Sequence, residues 1–185
     1  MHRSRTSLLL AGLGALALSA GSAAMARNPI VGGAAMYPAR NIVQNAVNSK
    51  DHTTLVAAVK AAGLVETLSS KGPFTVFAPT NAAFAKLPAG TVETLVKPEN
   101  KATLTSILTY HVVPGRITAA QIAAMAARNR GTATLKTVQG ESLRFRKNGR
   151  GWVVVDAKGG MSRITIPNVM QSNGVIHVID TVLMP

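Results

Sequence analysis

The 185-residue sequence contains no cysteine and only a few acidic and aromatic residues. The absence of thiols excludes disulfide bonds, cysteine nucleophiles and cysteine-ligated metals. Seven Asp and Glu residues stand against 20 Lys and Arg residues, and the formal net charge is +13. Such an excess of positive charge favours association with anionic partners through long-range attraction.

No apolar run reaches the roughly 20 residues that a membrane-spanning helix needs. The apolar stretch Leu8–Ala20 follows a basic start and precedes Ala24-Met25-Ala26, a pattern typical of a signal-peptidase site. We therefore expect residues 1–26 to be a cleaved secretory signal peptide. An uncleaved amphipathic anchor fits poorly, because the run is apolar on all sides. The mature chain is then exported to the periplasm, the cell surface or the medium, as in many secreted bacterial proteins.

Cleavage would remove Arg3 and Arg5 and leave 18 basic against 7 acidic residues, a net charge of +11. Outside the cytoplasm, the matching partners are anionic polysaccharides and lipid head groups. Nucleic acid is the usual partner of a strongly basic domain. Export and the scarcity of aromatic residues make nucleic acid an unexpected partner here.

The mature chain has the length of one domain and divides by its hydrophobic pattern. Residues 27–40 are rich in Gly, Pro and Ala, and we expect a flexible N-terminal arm there. The remaining residues 41–185 form the predicted domain. Up to residue 130 the apolar residues have helical spacing, and beyond it they alternate as in strands. Helices followed by strands predict an α+β fold.

Three strand signals organise the expected sheet. Phe74–Ala78 is an early apolar strand that must join the later ones, and Asn148-Gly149 is a strong hairpin-turn signal. Val175–Asp180 is apolar enough to be buried on both faces.

Three segments, Gly72–Phe84, Leu108–Val113 and Asn173–Asp180, read GPFTVFAPTNAAF, LTYHVV and NGVIHVID. In this order and at this spacing they resemble the first signature block, the Tyr-His motif and the closing block of the fasciclin domain family. The resemblance covers residues 41–185. It implies a β-sandwich-like wedge of about seven strands with a packed layer of helices. It also implies a secreted cell-adhesion or surface-interaction module that needs no cofactor.

The chemistry-bearing residues of the mature chain do not form a recognisable catalytic motif. Its histidines are His52, His111 and His177, and no nucleophile elbow, phosphate loop or paired-histidine metal helix is present. His111 and His177 lack a neighbouring carboxylate, so a metal site is not expected. We expect no enzyme activity; a hydrolase is the remote alternative.

The Tyr-His motif gives two candidate partner-binding residues, Tyr110 and His111. In animal relatives this region is implicated in integrin contact. His111 shares the apolar stripe of helical residues Leu104, Ile107 and Leu108, which favours a core histidine. Tyr110 lies one position off that stripe, so binding and core packing both remain open.

A second candidate binding segment precedes the closing block at Ile166-Pro167-Asn168-Val169-Met170. In animal relatives the matching segment carries acidic residues around a proline. Pro167 and Met170 fit that pattern, whereas Ile166 and Asn168 replace the acids. Integrin recognition is therefore doubtful, but Pro167, Asn168, Val169 and Met170 remain candidates for a binding loop.

A basic hairpin is particular to this sequence. Arg144 and Arg146 flank Phe145, so they share one face of a strand, and Lys147 and Arg150 lie at the turn. Other basic residues are expected nearby: Arg128, Arg130, Lys136 and Lys158. The hypothesis is a patch that binds anionic glycan or lipid. The alternative is protection of a sheet edge and general solubility.

The sequence as a whole favours a secreted, non-catalytic adhesion or surface-interaction module that works as a monomer. Its partner would be an extracellular protein that the sequence does not identify. The alternative is a basic, envelope-associated structural protein that binds anionic glycan or lipid.

Overall fold

A computed structural model describes residues 29–185; the predicted signal peptide lies outside the described residues. The α-helices are α1 (Ile42–Ala46), α2 (Thr53–Ala62), α3 (Val65–Ser69), α4 (Asn81–Ala85), α5 (Thr91–Leu95), α6 (Lys101–Tyr110) and α7 (Ala119–Arg128). The strands are β1 (Ile30–Val31), β2 (Ala34–Ala35), β3 (Phe74–Pro79), β4 (Val112–Pro114), β5 (Thr132–Lys136), β6 (Ser142–Asn148), β7 (Gly151–Val155), β8 (Met161–Gln171) and β9 (Gly174–Ile179). Within this range, no helix combines the length and apolarity that a membrane span requires.

Strands β3 to β9 form one seven-stranded mixed sheet in the order β4-β3-β9-β8-β7-β6-β5. The early strand β3 pairs in parallel with the last strand β9, and the other neighbours are antiparallel. The two edges approach each other, because the Val138 nitrogen beyond β5 donates to the Val112 oxygen of β4 at 2.8 Å. The predicted α+β architecture is confirmed, and β9 is buried along its whole length as expected.

Local sequence signals define several helix ends. Asn41 and Thr118 each form a capping box with a glutamine three residues later, at the starts of α1 and α7. Gly63 ends α2 in the left-handed conformation with φ 73°. Asn100 precedes α6 without a side-chain cap hydrogen bond, and its side-chain nitrogen donates to the Thr94 oxygen at 2.8 Å.

The sheet separates two hydrophobic cores. One face of β3 and β9 packs under the helices, with Val76, Ala78, Ile176 and Val178 buried there. The curved sheet encloses the second core. Its largest fully buried members are Phe77, Tyr110, Ile122, Leu143, Phe145, Ile179 and Leu183. Because β3 and β9 contribute to both cores, their strands are apolar on both sides.

The described part of the predicted flexible arm, residues 29–40, is a hairpin packed on the domain. Strands β1 and β2 pair, and Val31 and Met36 are buried in the helical core. Gly32 at the turn has φ 58°, and a Cβ there would lie 2.6 Å from the Asp51 nitrogen. The glycines that suggested a flexible arm instead allow the hairpin turn to lie close against the 3₁₀ helix Lys50–His52.

Candidate functional site

Tyr110 of the Tyr-His motif lies in the enclosed core, with no exposed surface. Its phenol oxygen accepts a hydrogen bond from the Ala157 nitrogen at 2.8 Å, in the turn between β7 and β8. Burial raises the pKa of the phenol. Tyr110 therefore links helix α6 to the turn between β7 and β8 through this hydrogen bond, and its side chain has no surface accessible to a partner.

His111 is also buried and joins two distant parts of the chain. Its Nδ1 donates to the Ile107 oxygen at 2.8 Å, and its Nε2 accepts from the Leu183 nitrogen at 3.0 Å. These partners require a neutral ring with the proton on Nδ1, because a carbonyl can only accept. Burial lowers the pKa of His111 to about 4, in agreement with this state.

His177 on β9 is fully buried, and its imidazole stacks on Phe77 at 5.4 Å between ring centroids. Its Nε2 donates to the Ile117 oxygen at 2.8 Å, and its Nδ1 accepts from the Asn168 nitrogen at 3.3 Å. Burial lowers its pKa as well. Both nitrogens of His111 and of His177 are thus occupied by backbone groups. Among residues 29–185, no three His, Cys, Asp or Glu side chains are grouped to hold a metal ion.

The segment Pro167–Met170 is divided between surface and core. Pro167 and Asn168 are exposed, Met170 is half-buried, and Val169 is 1% exposed within the helical core. Asn168 has φ 59°, and its side-chain oxygen accepts from the Ala119 nitrogen at 2.8 Å. The irregular pairing of β8 with β9 in this region creates the bend. Pro167 and Asn168 are therefore accessible to a partner, Met170 is partly accessible, and Val169 is not.

The four predicted basic residues of the hairpin are all exposed. Arg144 and Arg146 point outward from β6, while Phe145 between them is fully buried in the enclosed core. Lys147 lies near the end of β6, and Arg150 lies in the two-residue turn Gly149–Arg150 that joins the paired residues Asn148 and Gly151, one residue later than the predicted Asn148-Gly149 turn.

The sheet register adds two cations to the same side. Arg146 pairs with Val153 of β7, and Val153 pairs with Arg163 of β8, so Arg163 lies two strands from Arg146. Lys136 of β5 pairs with Ser142 and also faces outward. We define the basic face as the outward side of β5 to β8, carrying Lys136, Arg144, Arg146 and Arg163. The outward positions of these four strands include no acidic residue.

Arg163 was not among the predicted site residues. Ser162 and Ile164 on either side of Arg163 are buried, so the local pattern could place Arg163 on the outward side of a strand. The pattern could not show which residues of other strands lie beside Arg163, because that depends on the register. The carboxylates that directly follow β7 and β9 are held by backbone nitrogens: Asp156 accepts from Gly160 and Met184, and Asp180 accepts from Arg163.

Comparison with known proteins adds three findings. The sequence model of the fasciclin domain family matches residues 50–185 of this chain. Protein sll1483 of Synechocystis sp. is 50% identical over 161 residues, which cover 86% of this chain and 81% of that protein. Immunogenic protein MPB70 of Mycobacterium bovis is 37% identical over 199 residues, which cover 97% and 94% of the two chains.

A solved structure shares the fold. The structure of a FAS1 domain pair from the insect cell adhesion molecule Fasciclin I superposes with a TM-score of 0.69 at 20% sequence identity. The match covers 79% of this chain and 51% of that one, so the chain spans about half of the solved pair.

Proposed function

Because the chain belongs to the fasciclin domain family, we propose that it is an exported, non-catalytic adhesion module that binds anionic polymer or lipid through its basic face. Its fold is shared with a cell adhesion molecule of insects. The polar atoms that could support catalysis in the Tyr-His motif are committed to backbone hydrogen bonds. The contact with a partner is therefore expected on the sheet surface instead.

One observation supports this surface above the others: three arginines and a lysine share one acid-free side of four neighbouring strands. Alternate residues on a strand lie about 7 Å apart, and strands about 4.8 Å apart. Arg144, Arg146 and Arg163 are thus spaced to meet successive anionic groups of a polymer or several lipid head groups. Arginine suits such contacts, because its planar guanidinium binds phosphate, sulfate and carboxylate in a bidentate manner.

Edge protection is a poorer explanation for these charges. Charged residues commonly protect strands whose backbone groups are unpaired. Strand β6 is paired on both sides, with β5 and β7, and β8 is paired with β7 and β9. Arg144, Arg146 and Arg163 therefore protect no open edge, and a role in binding or solubility remains.

Replacing Arg144 and Arg146 with serine should weaken retention on an immobilised sulfated polysaccharide and on phosphatidylglycerol vesicles. The logarithm of affinity falls with the logarithm of salt in proportion to the number of ionic contacts. Losing two of four contacts should reduce that slope to about half. The measurement is elution position and apparent affinity at several salt concentrations.

The matched control is Lys71→Ser with Lys97→Ser, which removes two exposed positive charges away from the basic face. This variant has the same net charge as the Arg144→Ser, Arg146→Ser variant, and it should keep a slope close to that of the unmodified protein. Equal retention of the two variants would show that net charge alone causes the binding. Equal retention of all three proteins at low salt would refute the basic face as the contact surface.

A further inference from the structure

Strand β7 carries two aliphatic side chains on the outward side of the sheet. Val154 is fully buried in the enclosed core, so its neighbours Val153 and Val155 point the other way, toward the basic face. Each of the two is only 8% exposed, although neither belongs to one of the two hydrophobic cores. Side chains of the adjacent strands must therefore cover them from outside.

The register identifies the neighbours of these valines. Two rows of paired residues cross β6, β7 and β8: Arg146, Val153 and Arg163 in one, and Arg144, Val155 and Met161 in the other. Paired strands lie about 4.8 Å apart, which brings the arginine stems against the valines. Long basic side chains commonly cover apolar surface with their stems and keep the charged group in water. The basic face thus contains a strip of apolar surface bordered by cations.

Met161 is the exposed apolar member of this strip. It is 67% exposed at the start of β8, and it pairs with buried Val155. Arg163 lies two residues further along the same side of β8. Methionine is flexible and polarizable, and it is common on binding surfaces that adapt to their partner. The face therefore offers a partner both positive charge and an apolar side chain that extends into solvent.

We infer that the partner of the basic face is a bilayer surface containing anionic phospholipid, with the arginines on the phosphates and Met161 inserted between the lipids. This inference rests on the proposed function and restricts its partner to lipid. Peripheral proteins bind such surfaces by combining buried apolar area with attraction to anionic head groups. Both elements are present here within three neighbouring strands.

A sulfated or uronic-acid polysaccharide matches the charge of this face but not its apolar strip. The anionic groups of the polysaccharide would meet the arginines, while the hydroxyl groups between them would lie against Val155 and Met161. These side chains offer no hydrogen bond beyond the weak acceptor of the thioether, so burying sugar hydroxyls there is unfavourable. The glycerol and acyl carbons of a lipid have no such requirement.

The test compares the unmodified protein with Met161→Gln, which keeps the net charge and the approximate length of the side chain. Binding is measured by co-sedimentation with vesicles of phosphatidylcholine mixed with phosphatidylglycerol, and by elution from an immobilised sulfated polysaccharide. We expect the substitution to lower the affinity for vesicles about ten-fold, as the loss of most of one buried aliphatic side chain does. Retention on the polysaccharide should stay unchanged, because the charges are the same.

Two further variants serve as controls. Met161→Leu keeps an apolar side chain at this position and should bind vesicles like the unmodified protein. Ile30→Gln removes a side chain of similar exposure, 68%, on strand β1, where the next residue, Val31, packs in the helical core. This position is away from the basic face, so Ile30→Gln should leave vesicle binding unchanged.

Equal vesicle affinity of the unmodified protein and Met161→Gln would overturn the inference and leave the basic face as a purely electrostatic contact surface. Retention on the polysaccharide without binding to the vesicles would also overturn it, in favour of a glycan partner. Equal losses for Met161→Gln and Ile30→Gln would contradict insertion at this site. Absence of binding to both materials would instead refute the proposed function itself.

Discussion

Replacing Phe145 with alanine is expected to lower the free energy of unfolding by about 4 kcal/mol, within the range found when buried phenylalanines are truncated. The Phe145 ring is fully buried, and its centroid lies 5.1 Å from that of Phe77. Phe77 in turn stacks on His177, so the truncation leaves a cavity at the centre of the enclosed core. Urea denaturation followed by circular dichroism measures the change.

The neighbouring substitution Arg146→Ala provides the control for this prediction. Arg146 is exposed on the opposite side of the same strand, so its truncation should change stability by less than about 0.5 kcal/mol. The contrast tests the inside–outside alternation of β6 on which the basic face depends. Similar losses at both positions would mean that the register of β6 is different from the one described.

Acidification from pH 7 to pH 4 is expected to remove about 3 kcal/mol of stability through His111 alone. The pKa of His111 is about 4 in the folded chain and near 6.5 in a solvated imidazole. Between these values the unfolded chain binds more protons, so stability falls as the pH falls. His52 and His177 change stability in the same direction, because burial lowers the pKa of each. Denaturant titrations at a series of pH values measure the slope.

The variant His111→Gln separates the contribution of this one ring. Glutamine does not titrate, so the variant should be less stable at pH 7 and should lose about 3 kcal/mol less than the unmodified protein on acidification. Protonation of His111 Nε2 removes the acceptor of the hydrogen bond from the Leu183 nitrogen and places a positive charge in the core, and both effects are unfavourable. Parallel pH profiles for the two proteins would contradict the assignment of a neutral, structural imidazole.

Much of the fold could be predicted from patterns within short stretches of the sequence. The alternation around Phe145 placed Arg144 and Arg146 on the same outer side, and Asn148-Gly149 indicated the hairpin to within one residue of its turn at Gly149–Arg150. The last strand is apolar except for His177, which indicated burial on both faces, and its central place between β3 and β8 agrees with that burial. In each case the signal lies within a few consecutive residues.

The remaining features depend on contacts between residues far apart in the chain. Arg163 joins Arg146 only through the register of β7 between them, which no local pattern encodes. Tyr110 lies off the apolar stripe of α6, yet it is buried because the turn at Ala157 covers it from 47 residues away. Strand β4 has three residues, too few for a periodic signal, and its pairing with β3 defines it.

Both residues of the family motif lie in the core, the role that the sequence favoured for His111 and left open for Tyr110. Tyr110 and His111 connect helix α6 to the β7–β8 turn and to the C-terminal segment at Leu183. Their hydrogen bonds connect elements around the enclosed core. The exposed charged groups on the outward side of β5 to β8 are the basic side chains of the basic face. The binding residues of this protein are accordingly expected outside the motif.

The central claim, that the basic face is the contact surface, is tested most directly by mapping backbone amide shifts on adding a short sulfated oligosaccharide to the ¹⁵N-labelled protein. We predict shifts concentrated at Lys136, Arg144, Arg146 and Arg163 and their strand neighbours, which disappear with added salt and in the Arg144→Ser, Arg146→Ser variant. Shifts concentrated at the Pro167–Asn168 bend or on the helical layer, with the basic face unchanged, would contradict the account.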